Sequence, residues 1–474
     1  MWAAKHFAEV DLGEVRRNQR AVTLAAAMAQ HPDKSIPQLF THTYDIKAAY
    51  NFFDHPEATP DNLQLAHREL VLEQLHQPGR YLLLEDTSEV SWAGHAPIPG
   101  LGPIGSGSAG LQGFHMHSVL AVRWAWAASA PPACWPGRPA VEVLGLPTQH
   151  YHVRTPRPVG EPVNNSKVLK QRARESQWWE EAGAALGAAP EDEQCEWTRV
   201  CDRGADIYEM LVSCQALNHR FVIRAAQDRC LTDAAGRASR SKLFATLRAQ
   251  VPLGEFALAL RARPGQAART AHLQVSGVTV WLRAPQRPGQ GAGYLPSVCC
   301  QAVRVWEAEA PPGVAALEWI LLTDWPVTTY VEALEVALVY ATRWLLEEFH
   351  KALKTGTQAE ALQLETAACL FAAIAIKSLV ALRLLDLRER LRLAPEAPAE
   401  QAGLSELELA MLRQVLGRPL PTVRAVALAL GRLGGHMNRK SDGLPGWQTL
   451  FRGMAKLTNL VDGAGIAFKL KKFG

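Results

Sequence analysis

The sequence lacks the patterns that mark several common classes of protein. Its eight cysteines are scattered, with no Cys-x-x-Cys pair and no Cys–His spacing of a zinc site; we therefore expect reduced thiols in a cytosolic protein. The N-terminal stretch MWAAKHFAEVDLGEV has no secretory hydrophobic region. The glycines of PGLGPIGSGSAGLQGF are not followed by Gly-Lys-Ser/Thr, which argues against a phosphate-binding loop. No internal repeat is present.

Long uninterrupted hydrophobic runs are also missing. The stretch from Ala367 to Leu385 is apolar, but it carries Lys377 and Arg383. Charged side chains are costly at the centre of a bilayer. This segment is therefore predicted to be a buried core helix, and no membrane partner is expected.

Charge is nearly balanced overall but uneven along the chain. The 474 residues carry a formal net charge of only +4. Between Arg220 and Gln290, however, twelve basic residues stand against three acidic ones, and from Gly434 to the end seven stand against two. Local basic surfaces of this kind suit a polyanionic partner such as nucleic acid, although solubilising surfaces have the same composition.

The pattern of elements predicts an α/β protein in three parts. Residues 1–75 read as a small helical domain, and its basic residues Arg16, Arg17 and Arg20 give it a face that could contact DNA. Residues 76–394 alternate strands and helices, interrupted at 228–318 by a β-rich insertion. Residues 395–474 form a final helical region.

The segment YATRWLLEEFHKALKTG predicts an amphipathic helix with an unusual polar stripe. Steps of three and four residues place Tyr340, Arg343, Glu347, Lys351 and Lys354 on one face. Leucines and a phenylalanine fall on the other face, against a core. One acid among three cations is suited to a metal ion flanked by phosphate groups, although a solvated helix face shares this spacing.

Two further acidic residues are each predicted at or next to the end of a buried strand. Asp86 is predicted at or just past the end of the buried strand in YLLLEDTSEVSW, and Asp202 after the strand that ends at Cys201. Three converging carboxylates repel each other unless a cation lies between them, and Mg²⁺ prefers such oxygen ligands. Aspartates after strands are also common as turn residues and helix caps, so spacing alone leaves both readings open.

The segments EDTSEVSW, VCDRGADIYEML and YATRWLLEEFHKALKTG together resemble the DDE transposases of bacterial insertion sequences, in particular the group that contains the transposon-five transposase. The helix signature of that group, Tyr-x-x-Arg-x-x-x-Glu-x-x-x-x-x-x-Lys, is present without departure. DLGEVRRNQRAV, KAAYNFFDHP, WILLTDWPV and GRLGGHMNRKSDGLPGW extend the resemblance over most of the chain. One departure is Gly204, which replaces a frequent acid and is expected to loosen the turn after Asp202.

The resemblance implies an RNase H-like catalytic core with the β-rich insertion, flanked by N-terminal and C-terminal helical domains. It assigns Asp86, Asp202 and Glu347 as a catalytic triad holding two Mg²⁺ ions, with Mn²⁺ as a substitute. The residues that it assigns to DNA contacts are Tyr340, Arg343, Lys354, Trp319, which would stack on a flipped base, and Arg224. Lys351 is a further candidate for a DNA contact because it lies on the same helix face.

The implied reaction is cut-and-paste transposition through a DNA hairpin, performed by a homodimer on transposon ends and target DNA in the bacterial cytoplasm. The C-terminal region is the expected dimer interface. Three alternatives remain: an RNase H-like nuclease without strand transfer, a catalytically silent DNA-binding derivative, and a helical scaffold that never meets DNA.

Overall fold

The protein is a mixed α/β structure built on a large mixed β-sheet. The computed structural model describes residues 2–93, 96–105, 111–126, 135, 137–155, 175–260, 262, 266–286, 295–439 and 442–471. Twelve strands within these ranges belong to one sheet.

The N-terminal region consists of helices in its described part. They are α1 (Trp2–Phe7), α2 (Val15–Gln30), α3 (Ile36–Leu39), α4 (Thr43–Phe53) and α5 (Pro60–Leu75). Local sequence explains where α5 begins. Thr59 caps it by accepting a hydrogen bond from the backbone N–H of Asn62, and Pro60 fills the first position, where its missing N–H costs nothing.

The strands follow from β1 onward. Their bounds are β1 (Gly79–Trp92), β2 (Gly102–Pro103), β3 (Gln112–Trp124), β4 (Glu142–His152), β5 (Cys195–Cys201), β6 (Arg220–Arg224), β7 (Cys230–Thr232), β8 (Ala238–Lys242), β9 (Gly254–Leu260), β10 (Arg269–Leu282), β11 (Val298–Glu307) and β12 (Glu318–Thr323). The β-type runs between residues 228 and 318 form β7 to β11. They extend the main sheet, because β11 pairs with β12. The strand order across the sheet is β2-β3-β1-β5-β6-β12-β11-β10-β7-β8, with β4 paired to β3 and β9 paired to β10.

Parallel and antiparallel pairs meet at the centre of the sheet. Strand β1 lies antiparallel to β3 and parallel to β5, and β5 lies parallel to β6. Such parallel neighbours are usually covered by helices on both faces. Here α6 (Trp178–Leu186), α7 (Tyr208–Ala216) and α8 (Leu243–Arg248) cover one face.

The other face is covered by helices from the second half of the chain. These are α9 (Tyr330–Thr342), α10 (Trp344–Lys351), a π-helical turn at Ala352–Gly356, and α11 (Ala367–Leu393). Helices α12 (Glu406–Leu416), α13 (Val423–Leu433) and α14 (Trp447–Lys471) form the C-terminal region around a core of their own.

Helix α11 is long and apolar enough to cross a membrane, but most of it is buried inside the protein. Lys377, near its middle, is 2% exposed and donates to the carbonyl oxygens of Pro32 and Thr357. The prediction of a buried core helix is confirmed. The seven cysteines in the described part of the chain are all free.

Candidate active site and nucleic-acid interface

The first candidate acid, Asp86, lies inside strand β1. The prediction that it stands at the strand end is wrong, because β1 continues to Trp92. Pairing of β1 with β5 does stop at Glu85 opposite Cys201, whereas pairing with β3 continues through Asp86 opposite Ser118. Asp86 therefore lies where β1 loses its parallel neighbour.

The second acid, Asp202, directly follows β5, which ends at Cys201 as predicted. It caps a single 3-10 turn, Arg203–Ala205, and its Oδ1 accepts a 2.8 Å hydrogen bond from the N–H of Gly204. A Cβ atom on Gly204 would lie 3.2 Å from the Trp179 ring and 3.0 Å from Asp202 Oδ1. The turn after Asp202 is closed by this hydrogen bond, and glycine at position 204 leaves room for the indole beside it.

The third acid, Glu347, lies in the first turn of α10 and is linked to Asp86 through Arg343. Arg343 Nη1 donates to Asp86 Oδ2 at 2.9 Å, and Nη2 donates to Glu347 Oε1. Arg343 itself lies between α9 and α10. A single guanidinium thus bridges two acids that lie far apart in the sequence.

The neighbouring glutamate has a different environment. Glu348 accepts two hydrogen bonds from Arg388 of α11, at 2.6 and 2.5 Å. This pairing holds Glu348 against α11, while Glu347 shares Arg343 with Asp86. The two adjacent glutamates therefore differ in their hydrogen-bond partners. The sequence separates them only by helical spacing, which places Glu347 on the polar stripe.

The three acids share one electrostatic neighbourhood. Burial is the main reason that the pKa of Asp86 rises from 3.8 to about 6. Arg343 opposes the rise, whereas the negative charges of Asp202 and Glu347 add to it. Because both acids act on the pKa of Asp86, the carboxyl groups of Asp202 and Glu347 each lie within electrostatic reach of Asp86.

The carboxylates do not form a ready metal cage. Within the described ranges, no group of three or more His, Cys, Asp or Glu side chains is arranged to hold a metal ion. Arg343 engages one oxygen of Asp86 and one of Glu347, and Asp202 is engaged by the N–H of Gly204. The positive charge between Asp86 and Glu347 is therefore that of the Arg343 guanidinium.

The predicted single helix carrying the polar stripe is interrupted twice. Helix α9 ends at Thr342 and α10 begins at Trp344, and a π-helical turn follows Lys351. A π turn shifts side chains relative to α-helical spacing, and such turns are frequent at functional sites. The opposite, apolar side of the stripe is buried as predicted, with Leu345, Leu346, Phe349 and Leu353 at 0% exposure.

The other members of the stripe differ in accessibility. Lys351 is exposed and Lys354 is half-buried in the π turn, whereas Tyr340 is only 8% exposed. The ring centroid of Tyr340 lies 5.9 Å from the Arg343 guanidinium carbon. Burial, with smaller contributions from Lys354, His117 and Arg343, lowers the pKa of His350 to about 3. Lys354 and Arg343 therefore lie near one buried, neutral imidazole.

Aromatic and basic side chains from β6 and β12 border Tyr340. The half-buried Trp319 has its ring centroid 6.4 Å from that of Tyr340 and 6.4 Å from that of Trp135. Arg224 Nη2 donates to the carbonyl oxygen of Glu318 at 3.3 Å, so it lies beside the same strand. Trp319, Tyr340 and Arg343 thus form a continuous series of ring and cation contacts.

Sequence reasoning missed Trp344. This side chain is 58% exposed, although it directly follows Arg343. The signal was present in the sequence: Trp344 lies four residues after Tyr340 and three before Glu347, so helical spacing places its indole on the polar stripe.

The three N-terminal arginines lie on α2, which packs against α1, α4 and α11. They line an open groove of about 630 Å³ between α2 and α4, together with Tyr44 and Asn51. Arg16 is exposed. Arg17 donates to the carbonyl oxygen of Leu12 and to Glu14, and Arg20 pairs with Asp45 at 3.1 Å. These arginines belong to a basic groove of their own, on elements other than those that carry the acids.

Comparison with protein families gives an independent finding for this groove. Residues 1–58 match the family model described as transposase DNA-binding. The matched segment contains helices α1 to α4, and therefore all of the described residues that line the groove. The N-terminal part of the chain is thus similar to the DNA-binding part of transposases, which supports a transposase that binds DNA.

Proposed function

We propose that the protein is a DDE transposase that binds the ends of its insertion sequence and catalyses metal-dependent DNA cleavage and strand transfer. The observation that supports it most is the grouping of Asp86, Asp202 and Glu347 from three distant parts of the chain. The match of residues 1–58 to transposase DNA-binding supports the DNA substrate independently.

The proposal includes an RNase H-like catalytic core at 76–394, with a β-rich insertion at 228–318. Strands β3, β1, β5 and β6 lie side by side, with parallel pairing from β1 through β6. In such a sheet, groups at the carboxyl ends of parallel strands gather at one edge. Asp202 follows β5, and Asp86 lies where the β1–β5 pairing ends, so both fit this edge.

The donor set fits Mg²⁺, with Mn²⁺ as a substitute. Carboxylate oxygens are the ligands that Mg²⁺ prefers, and Asp86, Asp202 and Glu347 supply them. The raised pKa of Asp86 reflects buried, repelling negative charge that a cation offsets. Two bound ions would activate the attacking oxygen and stabilise the leaving oxygen of the phosphodiester.

The protein's own residues bind and orient the DNA. Arg343 is placed to exchange its carboxylate partners for a phosphate, since a guanidinium binds both groups in the same fork geometry. Lys351 and Lys354 add positive charge on the same helix, and Arg224 adds it from β6. The exposed indole of Trp344 and the partly buried indole of Trp319 offer surfaces on which an unpaired base can stack.

The proposed reaction follows the order implied by the family resemblance. Water cuts one strand at the element's end, and the freed 3′-OH attacks the opposite strand to close a hairpin. A second water reopens the hairpin, and the 3′-OH then joins target DNA by transesterification. Two ends must be joined together, so we propose a homodimer in a synaptic complex, with 395–474 contributing its interface, in the bacterial cytoplasm.

The inverted repeats expected beside the gene supply the DNA for the test. The purified protein is incubated with Mg²⁺ and end-bearing DNA, and Asp86→Asn, Asp202→Asn and Glu347→Gln are compared with Glu89→Gln. Glu89 is an exposed glutamate of the same strand as Asp86. We expect loss of cleavage in the first three variants only. Full cleavage by any of them would refute the assignment, and cleavage without joined products would favour a nuclease.

A catalytically silent DNA-binding protein is the second candidate. It is favoured by the Arg343 bridge across Asp86 and Glu347, which occupies oxygens that a metal ion would need. Tight, end-specific binding without cleavage at any divalent-ion concentration would support this candidate.

A further inference from the structure

Glu85 and Arg199 form an ion pair that is enclosed entirely by the protein. Both side chains are 0% exposed. Arg199 Nε donates to Glu85 Oε1 at 2.5 Å and Nη2 donates to Oε2 at 2.7 Å, so the contact is bidentate. Glu85 immediately precedes Asp86 on β1, and Arg199 lies three residues before Asp202 on β5. Because side chains alternate along a strand, Glu85 faces the side of the sheet opposite to Asp86.

Stability alone is a poor explanation for this pair. Taking two charges out of water costs several kcal/mol per ion, and well-packed apolar residues at such sites are often equally or more stabilising. A buried arginine and glutamate at this place therefore indicate a role in fixing the position of β1 relative to β5. Because the contact between Glu85 and Arg199 is bidentate, β1 can slide only a little against β5 before one of its hydrogen bonds breaks.

A third residue extends the contact to the turn that carries Asp202. The carbonyl oxygen of Trp179 accepts a 2.6 Å hydrogen bond from Arg199 Nη2. The Trp179 ring packs beside Gly204 and lies 4.2 Å from the His117 ring, centroid to centroid. A Cβ atom on Gly183 would come within 2.5 Å of Arg199 Nη1, so glycine there admits the guanidinium.

Backbone hydrogen bonds between β1 and β5 do not extend as far as Asp86 and Asp202. The β1–β5 pairing ends at Glu85 opposite Cys201, one residue before Asp86 and Asp202. Beyond that row no pairing between these strands opposes the mutual repulsion of the two carboxylates. Glu85 belongs to that last paired row, and Arg199, which is opposite Leu83 two residues earlier, reaches it diagonally. The contact therefore joins the two strands directly before the acids, where it acts on their spacing.

We propose that Glu85 and Arg199, with Trp179, are positioning residues that hold the ends of β1 and β5 together and so keep Asp86 and Asp202 side by side. The effect on DNA cleavage rests on the proposed function, but the spacing of the two acids is a property of the folded protein alone. The two parts can therefore be tested separately.

The test replaces the pair by apolar residues of similar size, Glu85→Leu/Arg199→Met. The matched control is Arg269→Met/Glu307→Leu, which removes an ion pair between β10 and β11 of the same sheet. The parent protein, the test variant and the control variant are each also prepared with Asp86→Cys/Asp202→Cys. Full-length protein is treated with a short bifunctional thiol reagent, and peptide mass spectrometry quantifies the link between positions 86 and 202. Urea unfolding, end-DNA affinity and cleavage are measured on the same three proteins without the cysteine pair, so that Asp86 and Asp202 are both present.

In Glu85→Leu/Arg199→Met we expect the cross-link yield to fall several-fold. Cleavage at saturating DNA should fall about 10- to 100-fold, the range for groups that orient metal ligands, while the unfolding midpoint and DNA affinity stay near those of the control. Arg199→Lys retains the charge but not the bidentate contact, and it should lower the cross-link yield in the same direction if the double variant does not fold.

Unchanged cross-linking in a folded variant would overturn the proposal. So would a loss of cleavage that stabilising osmolyte restores fully, since that is the behaviour of a merely structural pair. If the parent protein cuts no DNA while the cross-link difference persists, the positioning role stands and the proposed function fails.

Discussion

Arg343 Nη1 and Asp86 Oδ2 lie 2.9 Å apart, although 257 residues separate them in the chain. The same guanidinium also donates to Glu347. A residue that sequence reasoning assigned to DNA phosphate therefore neutralises two of the candidate catalytic acids in the free protein. Exchange of these partners for a phosphate on DNA binding would leave the carboxylates available to divalent ions.

The first prediction concerns the pH dependence of cleavage. The pKa of Asp86 is about 6 even though Arg343 lowers it, so Arg343→Met should raise that pKa further. Because the ionised carboxylate is the form that binds cations, the acidic limb of the pH–rate profile should move to higher pH. Cleavage at DNA concentrations far below saturation, where the rate reflects groups of the free protein, measures this shift between pH 5.5 and 9. If the acidic limb lies at the same pH in the parent and in Arg343→Met, Arg343 does not control the pKa of Asp86.

The second prediction concerns stability. The folded-state pKa of Asp86 is raised from 3.8 to about 6, so the folded state binds the proton more tightly than the unfolded state. This stabilisation is present below about pH 3.8 and is lost as the pH rises through about 6, a change on the order of 3 kcal/mol. Asp86→Asn should therefore raise the free energy of unfolding at pH 8, by about 1–3 kcal/mol, and have little effect near pH 4.

Urea unfolding at the two pH values measures this difference, and Glu332→Gln provides a control of opposite sign. Hydrogen bonds from the backbone and side chain of Thr328 and from the backbone of Thr329 lower the pKa of Glu332 to about 2. Its stabilisation is present above about pH 4.5 and is lost as the pH falls through about 2. Its variant should therefore be less stable than the parent at pH 8. A destabilised Asp86→Asn at pH 8 would contradict the electrostatic account of the site.

The third prediction contrasts two adjacent glutamates. Glu347→Gln should reduce cleavage by at least about 100-fold without unfolding the protein, because it changes a group of the acid site. Glu348→Gln should destabilise the protein by about 1 kcal/mol, since Arg388 loses one of its two carboxylate partners and keeps Glu389, and should retain cleavage per folded molecule. Cleavage rates and urea midpoints of both variants separate these effects. The reverse result would place the wrong glutamate in the site.

The fourth prediction concerns the N-terminal groove. Arg16 is exposed, whereas Arg17 is already engaged by Leu12 and Glu14. Arg16→Ala should weaken binding to end DNA and lower the slope of log K against log salt by about 0.9, the value for one lost phosphate contact. Arg17→Ala should have the smaller effect. Fluorescence anisotropy over a salt series measures both slopes, and equal slopes for parent and Arg16→Ala would remove this contact from the account.

Local rules predicted some elements because their causes are local. The end of β5 at Cys201 followed from an aspartate that caps the next turn, and the burial of Leu345, Leu346 and Phe349 followed from helical spacing. The length of β1 could not be predicted in this way. Its polar run beyond Glu85 reads as a turn, yet antiparallel pairing with β3 continues the strand to Trp92.

Other features depend on partners that are distant in the chain. The break at Arg343 and the π turn after Lys351 leave the residue spacing of the sequence unchanged, so periodicity could not reveal them. The Glu85–Arg199 pair joins positions 114 residues apart on neighbouring strands. Its recognition requires the parallel register of β1 and β5, which a single sequence does not contain.

The most direct test of the account is anomalous diffraction from crystals of the protein grown with end DNA and Mn²⁺. The account predicts anomalous peaks within about 2–2.5 Å of carboxylate oxygens of Asp86, Asp202 and Glu347, with the Arg343 guanidinium moved onto a DNA phosphate. Bound DNA with no peak among these acids, and with Arg343 still joined to Asp86 and Glu347, would contradict the central claim.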